Sequence, residues 1–217
     1  LGCNIYSVKI EEFMPRKKQS KEKVEAMQDR ILDATELLLD EIQPEEISIR
    51  RIAEKVGVSH MAIYTYFRDR DDLLQALISR QEERLSRRFE KVLHSSGSED
   101  FITNLKSALR DYMNQAKAKP RLFKLLWALP IKKENGFSRK LNLEDQMDPL
   151  IGYVKDGQRK HVFQKKDPCL VAMTLLSILN APLFLCHLGR LSDAKLRDRL
   201  IDESLEVAME YITAKTI

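Results

Sequence analysis

The chain has 217 residues, 43% hydrophobic and 32% charged, with only 7 Gly and 7 Pro. That length supports one or two domains with a sizeable core, and so few turn residues disfavour an all-β chain and favour a helical one. The formal net charge of +4 is a weak pointer to an anionic partner, because basic and acidic residues balance between Met14 and Lys91.

The N-terminus lacks the charged-then-apolar layout of a secretory leader. Met14 followed by "PRKKQSKEK" resembles a natural start. Residues 1–13 are therefore expected to be an extension, and residues 1–22 an extension plus basic arm, partly disordered. In the next stretch Val24, Met27, Ile31, Ala34, Leu37 and Leu38 recur at helical steps, which predicts a helix over about Lys23–Ile42, ended by Pro44. Ser48 is placed to cap "IRRIAEKV", whose Ile49, Ile52, Ala53 and Val56 make one apolar face. Gly57 can take the left-handed conformation that closes such a helix. Ser59 caps the next, expected to run to about Tyr66. Asp69 caps a long one, with Asp71 and Asp72 in its first turn and Leu73, Leu77, Leu85, Phe89 and Leu93 on its buried side.

"HSSGSED", from His94 to Asp100, reads as a linker. Helices are expected from about Asp100 to Ala118, after Pro120, and from about Asn142 to Lys155, followed by the polar connection "DGQRKHVFQKKD". Asp167 and Pro168 form an N-cap and N1 pair opening a helix to about Leu188. Its apolar run, Cys169 to Leu188, contains Asn180, Pro182 and His187, and is expected to be a buried core helix rather than a membrane span. Ser192 is expected to cap the last helix, where Leu196, Leu200, Leu205, Ala208, Met209 and Ile212 repeat. The three cysteines, Cys3, Cys169 and Cys186, fit no disulfide or zinc spacing. A reducing, cytoplasmic setting with no metal and no cofactor is expected.

Two short helices joined by a glycine turn and preceded by a longer helix form a helix-turn-helix arrangement. A reading helix must keep one face apolar for docking and offer the other to the major groove. Val58, Ile63 and Phe67 supply the docking face, which leaves His60, Met61, Ala62, Tyr64, Thr65 and Tyr66. By chemistry, Ser48 and Ser59 suit phosphate oxygens, Tyr64 and Tyr66 suit phosphate contacts at low ordering cost, and Arg70 suits a phosphate clamp. His60 and Met61, in the first turn, are best placed to meet base edges.

The stretch "SIRRIAEKVGVSHMAIYTYFRDRDDLL" resembles the signature of TetR-family transcriptional regulators. It supplies Ile52-Ala53, Gly57-Val58-Ser59, Tyr64-Thr65-Tyr66-Phe67, Arg70 and Asp72-Leu73-Leu74, and the similarity covers roughly residues 24–78. Three departures stand out. Met61 occupies a position where the family favours a small residue, Arg70 replaces a usual Lys, and "DEIQPEE" replaces a Gly-containing turn.

The resemblance implies an all-α fold with an N-terminal three-helix helix-turn-helix DNA-binding domain, residues 23–69. A larger C-terminal helical ligand-binding and dimerisation domain, residues 70–217, would follow. It further implies a homodimer through the last two helices, double-stranded DNA with a palindromic operator as partner, a small, largely apolar effector, and action as a repressor. The segment Tyr153–Leu176 also looks like a recurring family segment. Tyr112, Met113, Phe123, Trp127, Met147, Asn180, Phe184 and His187 are the expected lining of an effector cavity. Pro182 is expected to kink its helix by leaving the Ile178 carbonyl without a donor. The alternatives are a helical dimeric interaction module, or an activator without ligand-controlled repression. No Gly-rich phosphate loop, nucleophile elbow or metal-ligand motif points to an enzyme.

Overall fold

The computed structural model describes residues 20–94, 100–127 and 147–214. The expected N-terminal extension, most of the "HSSGSED" linker and residues 142–146 of a predicted helix lie outside them. Among the described residues there are helices and turns and no strand. The helices are α1 (Lys21–Glu41), α2 (Ile49–Val56), α3 (His60–Ile63), α4 (Arg70–Leu93), α5 (Phe101–Ala118), α6 (Pro120–Trp127), α7 (Asp148–Arg159), α8 (Pro168–His187) and α9 (Ala194–Thr213). The all-α class, with a helix-turn-helix domain before a larger helical domain, is what the structure shows.

Local chemistry sets most helix starts. Ser48, Ser59, Asp69, Asp100 and Asp167 each accept a backbone N–H from the first turn that follows, satisfying donors that a helix end would otherwise strand. Gly57 closes α2 at φ 79°, and both its own N–H and that of Val58 reach the Ala53 carbonyl.

Several expectations need correction. Asp193, rather than Ser192, caps α9 through the Lys195 and Leu196 amides. α3 is regular only to Ile63. It tightens into a turn in which Thr65 and Tyr66 donate to the carbonyls three residues back, the usual way a short helix ends. α7 begins at Asp148 and reaches Arg159, taking in the first third of the expected polar connection. It ends where the chain folds back on Gly157, whose carbonyl accepts from Val162 and Phe163. A Cβ at Gly157 would collide with the Phe163 ring, so the connection is anchored by an aromatic that the polar composition concealed.

Leu37 does not join the buried stripe of α1. It is 54% exposed, while Leu32, Thr35 and Leu39 are buried. Burying Thr35 costs little, because its hydroxyl donates to the Ile31 carbonyl at 2.8 Å. Leu85 and Phe89 are half-buried rather than core residues, because they face open space between helices.

Two apolar cores result. One gathers α1, α2, α3 and the first half of α4 around Ile31, Ile52, Ile63 and Leu77, and it recruits Leu125 from α6. The other joins the end of α4 to α5, α7, α8 and α9 around Leu105, Val154, Leu175 and Leu205. The cores therefore divide α4 near its middle rather than meeting at its start.

α8 runs unbroken through Pro182. By length and composition it is apolar enough to cross a membrane. Of the cover expected for this apolar helix, the chain's own domain supplies one face. Val171, Leu175, Leu179 and Leu183 pack inward, while Leu170, Leu185 and Leu188 stay exposed.

Candidate functional site

α1 clamps both short helices that follow it. Arg30 donates to the Val56 carbonyl at 2.7 Å and Gln28 to the Tyr66 carbonyl at 3.4 Å. Ile63 and Phe67 are buried against α1, α2 and α4, and Val58 packs beside them. With the apolar side held, His60, Met61, Tyr64 and Thr65 are all exposed. Positions three and four apart share a helical face, which sets Met61 beside Tyr64 and Thr65 and His60 beside Tyr64, so these four form one surface. Met61 is 64% and Tyr64 47% exposed, and nothing in the apolar core accounts for either.

The remaining expected DNA-contact residues separate. Ser48 and Ser59 use their oxygens as acceptors for the Arg51 and Ala62 amides at 3.3 and 3.2 Å, which leaves each hydroxyl proton to donate. Ala62 is half-buried. Tyr66 is also half-buried and packs on the core, so it stands apart from the exposed surface.

Arg70 differs most from expectation. Its Nε donates to the Ile47 carbonyl at 2.7 Å and a terminal nitrogen to the Pro44 carbonyl at 2.8 Å, while the other terminal nitrogen pairs with Asp71 at 3.1 Å. A planar guanidinium reaches the two carbonyls from separate nitrogens in a fixed fork, whereas an ammonium would have to serve both from a single point. The guanidinium is spent on the turn ahead of α2, which explains why Arg accompanies the unusual "DEIQPEE" segment. Arg51 was not singled out from the sequence. It is exposed on α2 and has no ion pair among the described residues. Its place one turn from Ser48 was the available signal.

The second constellation lies between α4, α5 and α6. Tyr112, Trp127 and Met147 line an apolar cavity of about 100 Å³ together with Leu85, Phe89 and Leu150. Phe123, with Tyr112 and Trp127, lines a larger cavity of about 370 Å³. Of the expected lining, Met113 is core, and Asn180, Phe184 and His187 sit behind the wall. Asn180 accepts from the Tyr112 hydroxyl at 2.6 Å. Burial pushes that hydroxyl well above the usual tyrosine range, and the bond to Asn180 offsets this only in part, so it stays a neutral donor. His187 packs 5.0 Å from Phe123, centroid to centroid. Its Nε2 is buried without a partner, and burial holds the ring below the usual histidine range despite a backbone bond at Ala116. The α4 contributions, Leu85 and Phe89, were legible only as apolar periodicity. No group of three or more His, Cys, Asp or Glu side chains able to hold a metal occurs among the described residues.

Comparison with known proteins places these features in context. The domain profile "Bacterial regulatory proteins, tetR family" matches residues 31–77. An uncharacterized HTH-type transcriptional regulator of Mycobacterium tuberculosis is 38% identical over 68 residues, which are 31% of this chain and 34% of that protein. The match thus spans about a third of the relative's length. A protein of unknown function from Rhodococcus sp. RHA1 has the same fold over 92% of this chain and 99% of its own, with a TM-score of 0.70 at 21% identity. The transcriptional regulator FadR from Bacillus subtilis, solved in complex with stearoyl-CoA, does so over 85% and 98%, with a TM-score of 0.68 at 18% identity.

Proposed function

With its N-terminal domain in the tetR family of bacterial regulatory proteins, we propose that this chain is a dimeric, effector-controlled transcriptional regulator. It would read a palindromic double-stranded operator in the cytoplasm and act as a repressor. The observation that carries the reading is the exposed surface of α3, where Met61 and Tyr64 face outward from a helix whose other side is fully committed to the core. His60, Met61 and Thr65 meet base edges and set the operator, while Tyr64, Ser48, Ser59 and Arg51 contact phosphates and set affinity. Arg70 holds the turn before α2 and acts on DNA only through that turn.

Dimerisation through α8 and α9 is supported by the exposed leucines of α8 and by Leu196 and Val207 on α9. An apolar surface this extensive on two adjacent helices needs a cover, and a second copy supplies one by two-fold symmetry. The two reading helices then sit about one DNA turn apart or more. α6 connects the effector cavity to the reading domain. Phe123 and Trp127 line cavity walls, while Leu125 belongs to the N-terminal core and Lys124 pairs with Glu45 at 2.7 Å. FadR, which shares the fold, is solved with an acyl-CoA, and an effector in the corresponding region here would bias the spacing of the reading helices.

Duplexes selected from a randomised palindromic pool, followed by anisotropy titration, test the reading. Recovery of one palindrome, bound by a chain of twice the monomer mass, is expected. Tyr64→Phe should weaken all sites alike and Met61→Ala should alter the recovered sequence. Failure to enrich any duplex at moderate salt, with the dimer intact, overturns it.

A further inference from the structure

Glu36 lies on α1, within the reading domain, but its partners come from elsewhere. Its carboxylate accepts from Gln81 at 2.6 Å, from Arg84 at 3.0 Å and from Lys119 at 2.7 Å, and Arg80 stands 3.6 Å away. Gln81 and Arg84 flank the middle of α4, and Lys119 is the residue between α5 and α6. The Glu36 side chain is only 16% exposed. Burial alone would raise its pKa, but the bond and charge of Lys119, with Gln81 and Arg84, hold it below the usual range.

Glu36, Gln81, Arg84 and Lys119 all stand on the wall of the larger cavity. That cavity shares Leu85, Tyr112, Gln115, Leu126 and Trp127 with the apolar one, so the two adjoin across these residues, one mostly apolar and the other charged. At the charged end Arg88 is already matched by both oxygens of Asp111 at 2.7 Å. Arg84 and Lys119 remain, with Glu36 as the carboxylate between them. The larger cavity's own wall carries Arg84, Arg88 and Lys119 against Glu36, while Asp111 and Glu82 stand on the wall of the smaller one; the carboxylate between Arg84 and Lys119 is the reading domain's own.

We propose that this space takes an amphipathic organic anion, whose acid group displaces Glu36 from Arg84 and Lys119 and so loosens α1 from the α5–α6 junction, while Arg80 and the shared core still hold it to α4. The inference rests on the reading of the chain as an effector-controlled regulator, and it adds the chemical class of the effector and the contact through which it acts. One acid group replaces another on the same donors, so the exchange needs no new cation, and the freed Glu36 carboxylate keeps Arg80, 3.6 Å away, as its partner. The apolar body fills the adjoining cavity and supplies the affinity. A ligand lacking the acid could fill the apolar end but would leave Glu36 where it is, and so would have no differential hold on α1.

Two dyes with the same apolar body separate these cases: 8-anilinonaphthalene-1-sulfonate carries a sulfonate, and N-phenyl-1-naphthylamine does not. Fluorescence titration of the full chain should show the sulfonate binding about tenfold more tightly. Glu36→Gln should tighten the sulfonate severalfold and leave the neutral dye unchanged, and Lys119→Gln should remove the preference between them. Hydrogen exchange should show α1 amides speeding up when the sulfonate saturates the wild-type chain, but not the Glu36→Gln chain. Equal affinities for the two dyes, or a sulfonate affinity indifferent to both substitutions, overturn the proposal. Circular dichroism identifies a variant that has lost its fold, and the other variant then carries the test. If dye behaviour follows expectation while duplex selection enriches nothing, the anion site stands and the regulator reading falls.

Discussion

The reading domain and the larger helical domain solve the same packing problem by different means. In the first, short helices are tied by side chains reaching backbone carbonyls, with Arg30 on Val56, Gln28 on Tyr66 and Arg70 on Ile47 and Pro44. In the second, long helices pack along apolar stripes but leave two cavities, a buried Nε2 without a partner and an uncovered helix face. Helices as short as α2 and α3 cannot persist alone, so they need cross-ties that also fix the aim of α3. Long helices tolerate gaps, and gaps are what a ligand or a partner can fill. Under the proposed function, the contrast is between a part that must hold one geometry and a part that must be able to change.

Five measurements can break or sharpen this contrast. Ile63→Ala removes the fully buried anchor of α3 and should cost about 2–4 kcal/mol in urea unfolding. A cost near zero would mean that α3 is not held by packing. Arg70→Lys keeps the charge but replaces two separately placed donors by a single point, and should cost about 1–3 kcal/mol. Unchanged stability with weakened DNA binding would return Arg70 to the role of phosphate clamp. In the larger domain, Tyr112→Phe leaves the buried Asn180 oxygen unpaired and should cost about 1–2 kcal/mol. A smaller loss there than for Arg70→Lys would fit the looser packing.

Gly57→Ala introduces no clash, so its cost is that of a left-handed backbone alone, about 1 kcal/mol by thermal melt. The smallest effect is expected from pH. The folded chain holds His187 below the usual histidine range through burial, so the unfolded chain binds more protons as pH falls through that range. Stability should therefore decline as pH drops through the ordinary histidine range and level off below the depressed folded value. His187→Gln should flatten that slope, and an unaltered slope would assign it to another group.

Much of the reading domain was legible because its determinants are local. A serine before an apolar stripe and a glycine after it act within a few residues, and the Ser48, Gly57, Ser59 and Asp69 assignments depended on nothing further away. The exposed surface of α3 was legible for the same reason, as what remained once Val58, Ile63 and Phe67 were assigned inward. Tyr66 escaped because the turn after Ile63 tightens and swings it onto the core. Arg70 escaped because its partners are 23 and 26 positions away. The cavity was half legible. Aromatics named its α5 and α6 walls, while Leu85 and Phe89 looked like any other core stripe, and Asn180 and His187 proved to be supports behind the lining.

Periodicity, caps and one glycine were sufficient for the helical class, the helix-turn-helix and the face that α3 presents, because each depends on groups within one or two turns of chain. Packing decided where the two cores divide α4, which apolar residues surround space instead of filling it, and which face of α8 is left bare. It also decided that a carboxylate of α1 is held by Lys119, 83 positions further on. Such pairings depend on how rigid helices settle against one another, and no local pattern encodes that distance.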